Sequence, residues 1–155
     1  RKKITGTCQF FYLQDTSMVA RIQREEWQGA MDASHSAYLF DNFSFWSPKL
    51  RTVGFSCGDG WFDLIKSLSE KIAYLRPPPD FVVTDVKEKM GFLRISIEHA
   101  SPDIERLALG AENASERICE YCGSSGSTKR KNLMLKTICL YHETLYQRSK
   151  TWPSA

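Results

Sequence analysis

The chain has 155 residues, enough for one domain with a sizeable core, or for a core plus a small metal-dependent appendage. Its 42% hydrophobic and 25% charged residues are those of an ordinary globular protein, and no apolar run reaches the length of a membrane-spanning helix, so no membrane partner is expected. The net charge of +3 is too small to name a partner, and no secretory pattern opens the chain, so the expected compartment is the cytoplasm.

In chain order, Gly6 to Asp15 begins with a β-prone run, Cys8-Gln9-Phe10-Phe11-Tyr12-Leu13, and Ser17 to Met31 has mixed helical character. Ser34 to Ser47 crowds Tyr38, Phe40, Phe43, Phe45 and Trp46 between small polar residues, and Pro48 ends it. Such aromatic density builds either a packing arm or, if exposed, a partner surface. On the second reading Tyr38, Phe43, Phe45 and Trp46 are the candidate contacts for a protein partner.

Gly58 and Gly60 then punctuate a turn that runs into a helical pattern, with Asp59 as a candidate N-cap and Trp61, Leu64, Ile65, Leu68 and Ile72 on one face. The turn is no phosphate loop, because no Gly-Lys-Ser/Thr follows. Pro77-Pro78-Pro79 closes the helix as a stiff extended connector. Phe81 to Lys89 and Phe92 to Glu98 read as a β-hairpin turning at Met90-Gly91, with Leu93, Ile95 and Ile97 inward and Arg94, Ser96 and Glu98 outward. Ser101-Pro102 opens a second helix whose apolar face, from Ile104 through Ala111 to Ile118, leads to the first cysteine pair.

That pair, Cys119-x2-Cys122, is followed after sixteen residues by Cys139-x2-His142. Four soft or borderline donors in two paired turns suit tetrahedral zinc, and since all four positions are filled by protein the site reads as structural. Thr137 to Cys139 is the expected strand feeding the second pair, and His142 is expected at the start of a short helix over Glu143 to Arg148, as in a zinc-ribbon or treble-clef knuckle. The other cysteines, Cys8 and Cys57, fit a reducing compartment better than a disulfide framework.

From Arg117 to Lys150 basic residues far outnumber acidic ones. Lys129, Arg130 and Lys131 fall between the ligand pairs, as does Lys136, with Arg148 beyond the second pair, and this basic loop either meets nucleic-acid phosphates or is solvated surface. Lys87, Glu88, Lys89 and Arg94, with Asp59 and His99, offer proton carriers, but alternating charges on a hairpin face serve solubility equally well and no catalytic signature accompanies them. His35 and His99 read as surface or turn residues, and Cys57 as a small buried thiol.

Three segments in order, Gly54-Phe55-x-Cys57-Gly58-Asp59-Gly60-Trp61-Phe62-Asp63-Leu64-Ile65, Val86-Lys87-Glu88-Lys89-x-Gly91-x-Leu93-Arg94 and Ser115-x-x-x-Cys119-Glu120-x-Cys122-Gly123, resemble a family of small uncharacterised phage and prophage proteins. The likeness covers roughly residues 50 to 145, and the chain departs from the usual pattern at Met90 and Phe92. The resemblance implies a host-interaction or host-inhibition role and supplies no catalytic residue.

The sequence therefore leads to an α+β expectation: a small hairpin packed with two main helices over 51–118, an aromatic segment over 1–50 packed on it, and a zinc knuckle over 119–150 continuous with the core. The leading functional expectation is a non-enzymatic, zinc-stabilised protein that blocks a host defence or regulatory complex in a bacterial cell. The alternative is a nucleic-acid-binding zinc protein using the basic loop.

Overall fold

The computed structural model describes residues 30–131 and 133–148; the runs expected at Gly6 to Asp15 and through most of Ser17 to Met31, and Cys8 with them, lie outside the described residues. The chain is α+β, with helices α1 (Ala33–Asn42), α2 (Pro48–Val53), α3 (Phe62–Tyr74), α4 (Pro102–Ser115) and α5 (Leu140–Arg148). Strands β1 (Val82–Lys89) and β2 (Phe92–Glu98) form one antiparallel hairpin, and β3 (Ser127–Lys131) and β4 (Met134–Ile138) form another.

Local chemistry starts most of these helices. The Asp32 carboxylate accepts from Ser34 N–H to open α1, while Ser47 and Ser101 cap α2 and α4 ahead of prolines at the first helical position. The first hairpin turns at Met90 and Gly91, with φ of 56° and 87°, the two positive values that a type I′ connection requires. Along β2 the expected alternation holds: Leu93 is fully buried, Ile95 and Ile97 pack against the core, and Arg94, Ser96 and Glu98 face solvent.

Both edges of this hairpin are covered. Phe45 O and Ser47 N–H bond to Val83, and Ser56 bonds to Val86 and Glu88, so the outer edge of β1 is paired. On β2 the outward N–H groups of Leu93 and Ile95 donate to Ser115 Oγ and the Glu112 carboxylate of α4. Side chains of a helix thus replace a third strand and remove the donors that an open edge would present.

The core lies between the hairpin and helices α3 and α4. Trp61, Ile65, Leu68 and Ile72 meet Val83, Val86 and Leu93 of the sheet and Ile104 and Ala111 of α4. Each such aliphatic side chain contributes about 1.5–3 kcal/mol by leaving water. The aromatic segment joins the same core, since Trp46 stands edge-on to Phe55 at 5.3 Å and donates its Nε1–H to Leu39 O, while Phe45 meets Phe81 at 5.5 Å.

Three local expectations are corrected. Asp59 does not cap α3, which opens through a 3-10 turn at Asp59–Trp61 with no side-chain cap bond. The Asp59 carboxylate is drawn instead to α1, accepting from Asp32 N–H and pairing with His35 Nδ1 at 2.6 Å, and the His35 ring stacks on Phe62. The helix after Ser101 ends at Ser115, four residues short of Cys119, as Glu116 to Ile118 turn towards the knuckle through N–H bonds to Asn113, Ala114 and Ser115. Likewise the proline run is not extended throughout, because Phe81 N–H bonds back to Pro78 O around a turn at Pro79-Asp80.

Candidate metal centre

Cys119 and Cys122 lie in the turn after α4, Cys139 follows β4, and His142 sits in the first turn of α5, which starts at Leu140 and so encloses the histidine rather than following it. Knuckle, hairpin and helix follow one another in the order of a treble clef, with the donors in the knuckle turn, just after β4 and in α5. The four donor atoms lie within 4.8 Å of one another. Zinc bonds of ~2.3 Å to sulfur and ~2.05 Å to nitrogen set tetrahedral edges of roughly 3.8 Å between sulfurs and roughly 3.5 Å from sulfur to nitrogen. The observed edges are 3.8 Å for Cys122 to Cys139, 3.5 Å for Cys119 to His142 Nδ1 and 3.2 Å for Cys139 to His142 Nδ1. These residues therefore fit a bound metal ion, and the three-sulfur, one-imidazole set is one that zinc favours.

Proton chemistry at the cluster points the same way. The hydrogen bond from Cys119 holds the Cys122 thiol below the ordinary thiol range, and that bond, with burial, pushes Cys119 above it. The pair shares a proton because a second thiolate at this spacing is repelled; a cation relieves that repulsion, so metal binding displaces the proton. Backbone N–H groups of Cys122 and Cys139 are directed at Cys119 sulfur, and that of Ser124 at Cys122 sulfur, which lowers the cost of a thiolate at each position when a cation is bound.

The glycine turn is the seat of this knuckle. A Cβ on Gly60 would lie 2.2 Å from Cys119 O and 2.5 Å from Gly123 N, and one on Gly58 would lie 2.4 Å from Glu120 O. Only glycine lets the two backbones meet this closely. Across the contact Gly60 N–H donates to Glu120 O at 2.7 Å, and Trp61 Nε1–H to Ile118 O at 2.9 Å.

Beneath it lies a buried ionic cluster that local sequence reading misses. Lys136 Nζ is 3.0 Å from Glu120 and 2.8 Å from Glu88, with side-chain exposures of 7%, 0% and 15%. Burial pushes the Glu120 carboxyl up, against the pull of Lys136. Burial also pulls the Lys136 ammonium down, but the two carboxylates more than offset this and its net shift is upward. Gly58 N–H donates to Glu120 Oε1, so the glycine turn and the zinc hairpin meet at the Glu120 carboxylate, and the first hairpin joins them through Glu88 on the Lys136 ammonium. Cys57, beside them, is a buried thiol that desolvation pushes far up, as a structural cysteine should be.

The nucleic-acid candidates separate. Lys136 is corrected outright, since its ammonium is buried between two carboxylates and unavailable to phosphate. The expected basic loop is strand β3, and within it Lys129 is bridged to Glu143 at 3.0 Å, Arg130 is exposed and Lys131 half-buried. The Arg148 side chain lies outside the described residues. Of the aromatic candidates, Phe45 and Trp46 are corrected as partner contacts because they are buried in the core, whereas Tyr38 is exposed and Phe43 half-buried.

The proton-carrier cluster is dispersed into ion pairs: Lys87 with Asp85, Arg94 with Glu112 and His99 with Asp80. No protein-family model matches the chain, and no curated protein and no solved structure matches it. Among the described residues no helix is long and apolar enough to cross a membrane.

Proposed function

We propose that this is a non-enzymatic, zinc-stabilised binding protein of phage or mobile-element type, acting in the bacterial cytoplasm by sterically blocking a host defence or regulatory complex. The observation that carries the first half is the closure of the Cys119, Cys122, Cys139 and His142 cluster: four protein donors complete a tetrahedron and leave no position for a reacting water. A metal held in that way stabilises a surface. The mobile-element assignment rests on the resemblance of the Cys57-Gly58-Asp59-Gly60-Trp61 and Cys119-Glu120-x-Cys122-Gly123 segments, and host occlusion on what that resemblance implies.

The nucleic-acid alternative draws less support from the geometry, because Lys136 and Lys129 spend their charge on Glu88, Glu120 and Glu143. Fluorescence anisotropy of the zinc-loaded protein with labelled DNA and RNA, at low and at physiological salt, separates the two. Absence of binding at low salt is the expected result. Micromolar binding that weakens steeply with salt and is lost on Arg130→Ala would overturn the protein-binding reading.

A further inference from the structure

The Gly58-Asp59-Gly60 turn faces two ways. Its backbone serves the knuckle: Gly58 N–H donates to the Glu120 carboxylate at 3.2 Å and Gly60 N–H to Glu120 O at 2.7 Å, on the residue next to Cys119. Its one side chain serves α1, since Asp59 Oδ1 accepts from Asp32 N–H at 3.0 Å and pairs with His35 Nδ1 at 2.6 Å. Asp32 is the residue that caps α1, so the same three residues hold the metal seat and the start of a helix.

Helix α1 is anchored in the core by Met31, just ahead of it, and by Leu39 in its second half. Between these anchors its first turns lie against the glycine turn and the start of α3. The His35 ring stacks on Phe62 at 3.8 Å with the two planes 5° apart, and Tyr38, one turn on, meets the same ring edge-on at 5.8 Å. The His35 and Asp59 side chains are 38% and 40% exposed, so this tie is modest and can open while the core stays folded.

We propose that the glycine turn couples metal loading of the knuckle to the seating of α1, so that occupancy of the Cys119, Cys122, Cys139 and His142 cluster sets whether the face carrying His35 and Tyr38 is ordered. The two states are the first turn of α1 seated on Asp59 and the same turn frayed. A knuckle fixed around metal holds Glu120 where it can fix Gly58 and Gly60, and a fixed turn holds the Asp59 carboxylate where Asp32 and His35 meet it. The coupling is reciprocal: whatever seats α1 tightens metal binding by the same factor. This rests on the zinc-stabilised half of the reading above and adds a surface, remote from the ligands, that the metal controls.

Two measurements on the full chain test it: amide exchange with zinc bound and after chelation, and zinc affinity by competition with a chromophoric chelator. Chelation should speed exchange at Asp32, Ser34 and Ser36 by about fivefold or more, the low end of coupling between sites, while the amides from Leu107 to Ala111 in α4 keep their protection. His35→Ala should weaken zinc binding by up to the same factor although it touches neither a ligand nor the glycine backbone, and His35→Asn, which keeps a donor near Asp59, should recover part of that loss. Ile104→Val, a core truncation remote from the turn, should leave zinc affinity unchanged, because a chain that stays folded presents the same site. Exchange at Asp32 that ignores chelation, or wild-type zinc affinity in His35→Ala, would overturn the coupling and leave the zinc assignment standing. Exchange that rises evenly through α1 and α4, or an equal loss of affinity in Ile104→Val, would also overturn it, since either reports loss of the whole fold. A wild type that binds no zinc would overturn the zinc assignment and the coupling together.

Discussion

Replacing Lys136 with methionine keeps the length and apolar stem of the side chain but removes the ammonium lying 3.0 Å from Glu120 and 2.8 Å from Glu88. Glu120 is fully buried, so its charge is left without a counter-ion in a site closed to water. Breaking a buried pair in this way costs about 3–5 kcal/mol. Glu88 can relax towards solvent, which puts the expected loss at the lower end, about 3 kcal/mol. For a chain of 155 residues that lowers the melting temperature by roughly 6–12 °C. Urea unfolding of the zinc-loaded protein at neutral pH measures it. Adding Glu120→Gln to Lys136→Met should recover half or more of the loss, because the amide oxygen can still accept from Gly58 N–H while the stranded charge is gone. A loss below about 1 kcal/mol, or a double variant no more stable than the single one, would refute the account of the cluster.

Gly60→Ala should destabilise at or above the ~1–3 kcal/mol usual for overpacking and weaken zinc binding, because its Cβ would meet backbone of Cys119, Cys122 and Gly123 that cannot step aside; a zinc titration and a urea melt read both. Cys119→Ser or Cys139→Ser should remove bound metal and amide-exchange protection beyond about residue 115, and unchanged exchange with no metal in the wild type would defeat the zinc assignment. Because the Lys136 pKa is raised by folding, its stabilisation is complete below the ordinary lysine value of ~10.4 and is lost as pH rises through the folded value. An alkaline unfolding step in the wild type should accordingly be missing from Lys136→Met. At the acid end the donors must be deprotonated to hold metal, so zinc release on lowering pH, followed with a chromophoric indicator, should coincide with loss of near-ultraviolet dichroism.

What the sequence reveals here is set by distance along the chain. The β1–β2 hairpin, α3 from its apolar spacing, and α4 from Ser101-Pro102 are written within a few residues each, and the structure has them. The Cys119, Cys122, Cys139 and His142 set is equally legible because its spacing is the signal. The seat of the knuckle is not, because Gly58 and Gly60 meet Glu120 and Cys119 across some sixty positions, and two glycines before a helix look like a turn whatever they touch. Lys136 looked like one more cation in a basic stretch, and only the packing of β4 against the first hairpin brings Glu88 to it. Asp59 had the residue type of a cap and the wrong neighbour, since the His35 ring on Phe62 competes for its carboxylate. Phe45 and Trp46 carry no local mark that separates a packing arm from a sticky surface.

The close backbone approach of Gly60 to the cysteine turn bears on whether this zinc unit is portable. Many small metal modules can be cut out and fused elsewhere, since each carries its own floor. Here the floor belongs to another stretch of chain: residues 118–148 moved to a new host would keep all four donors but leave Glu120 O, Ile118 O and the Glu120 carboxylate without the Gly60, Trp61 and Gly58 groups that meet them. The heritable unit is the glycine turn together with the knuckle. A chimera that transfers one without the other inherits the ligands but not the site.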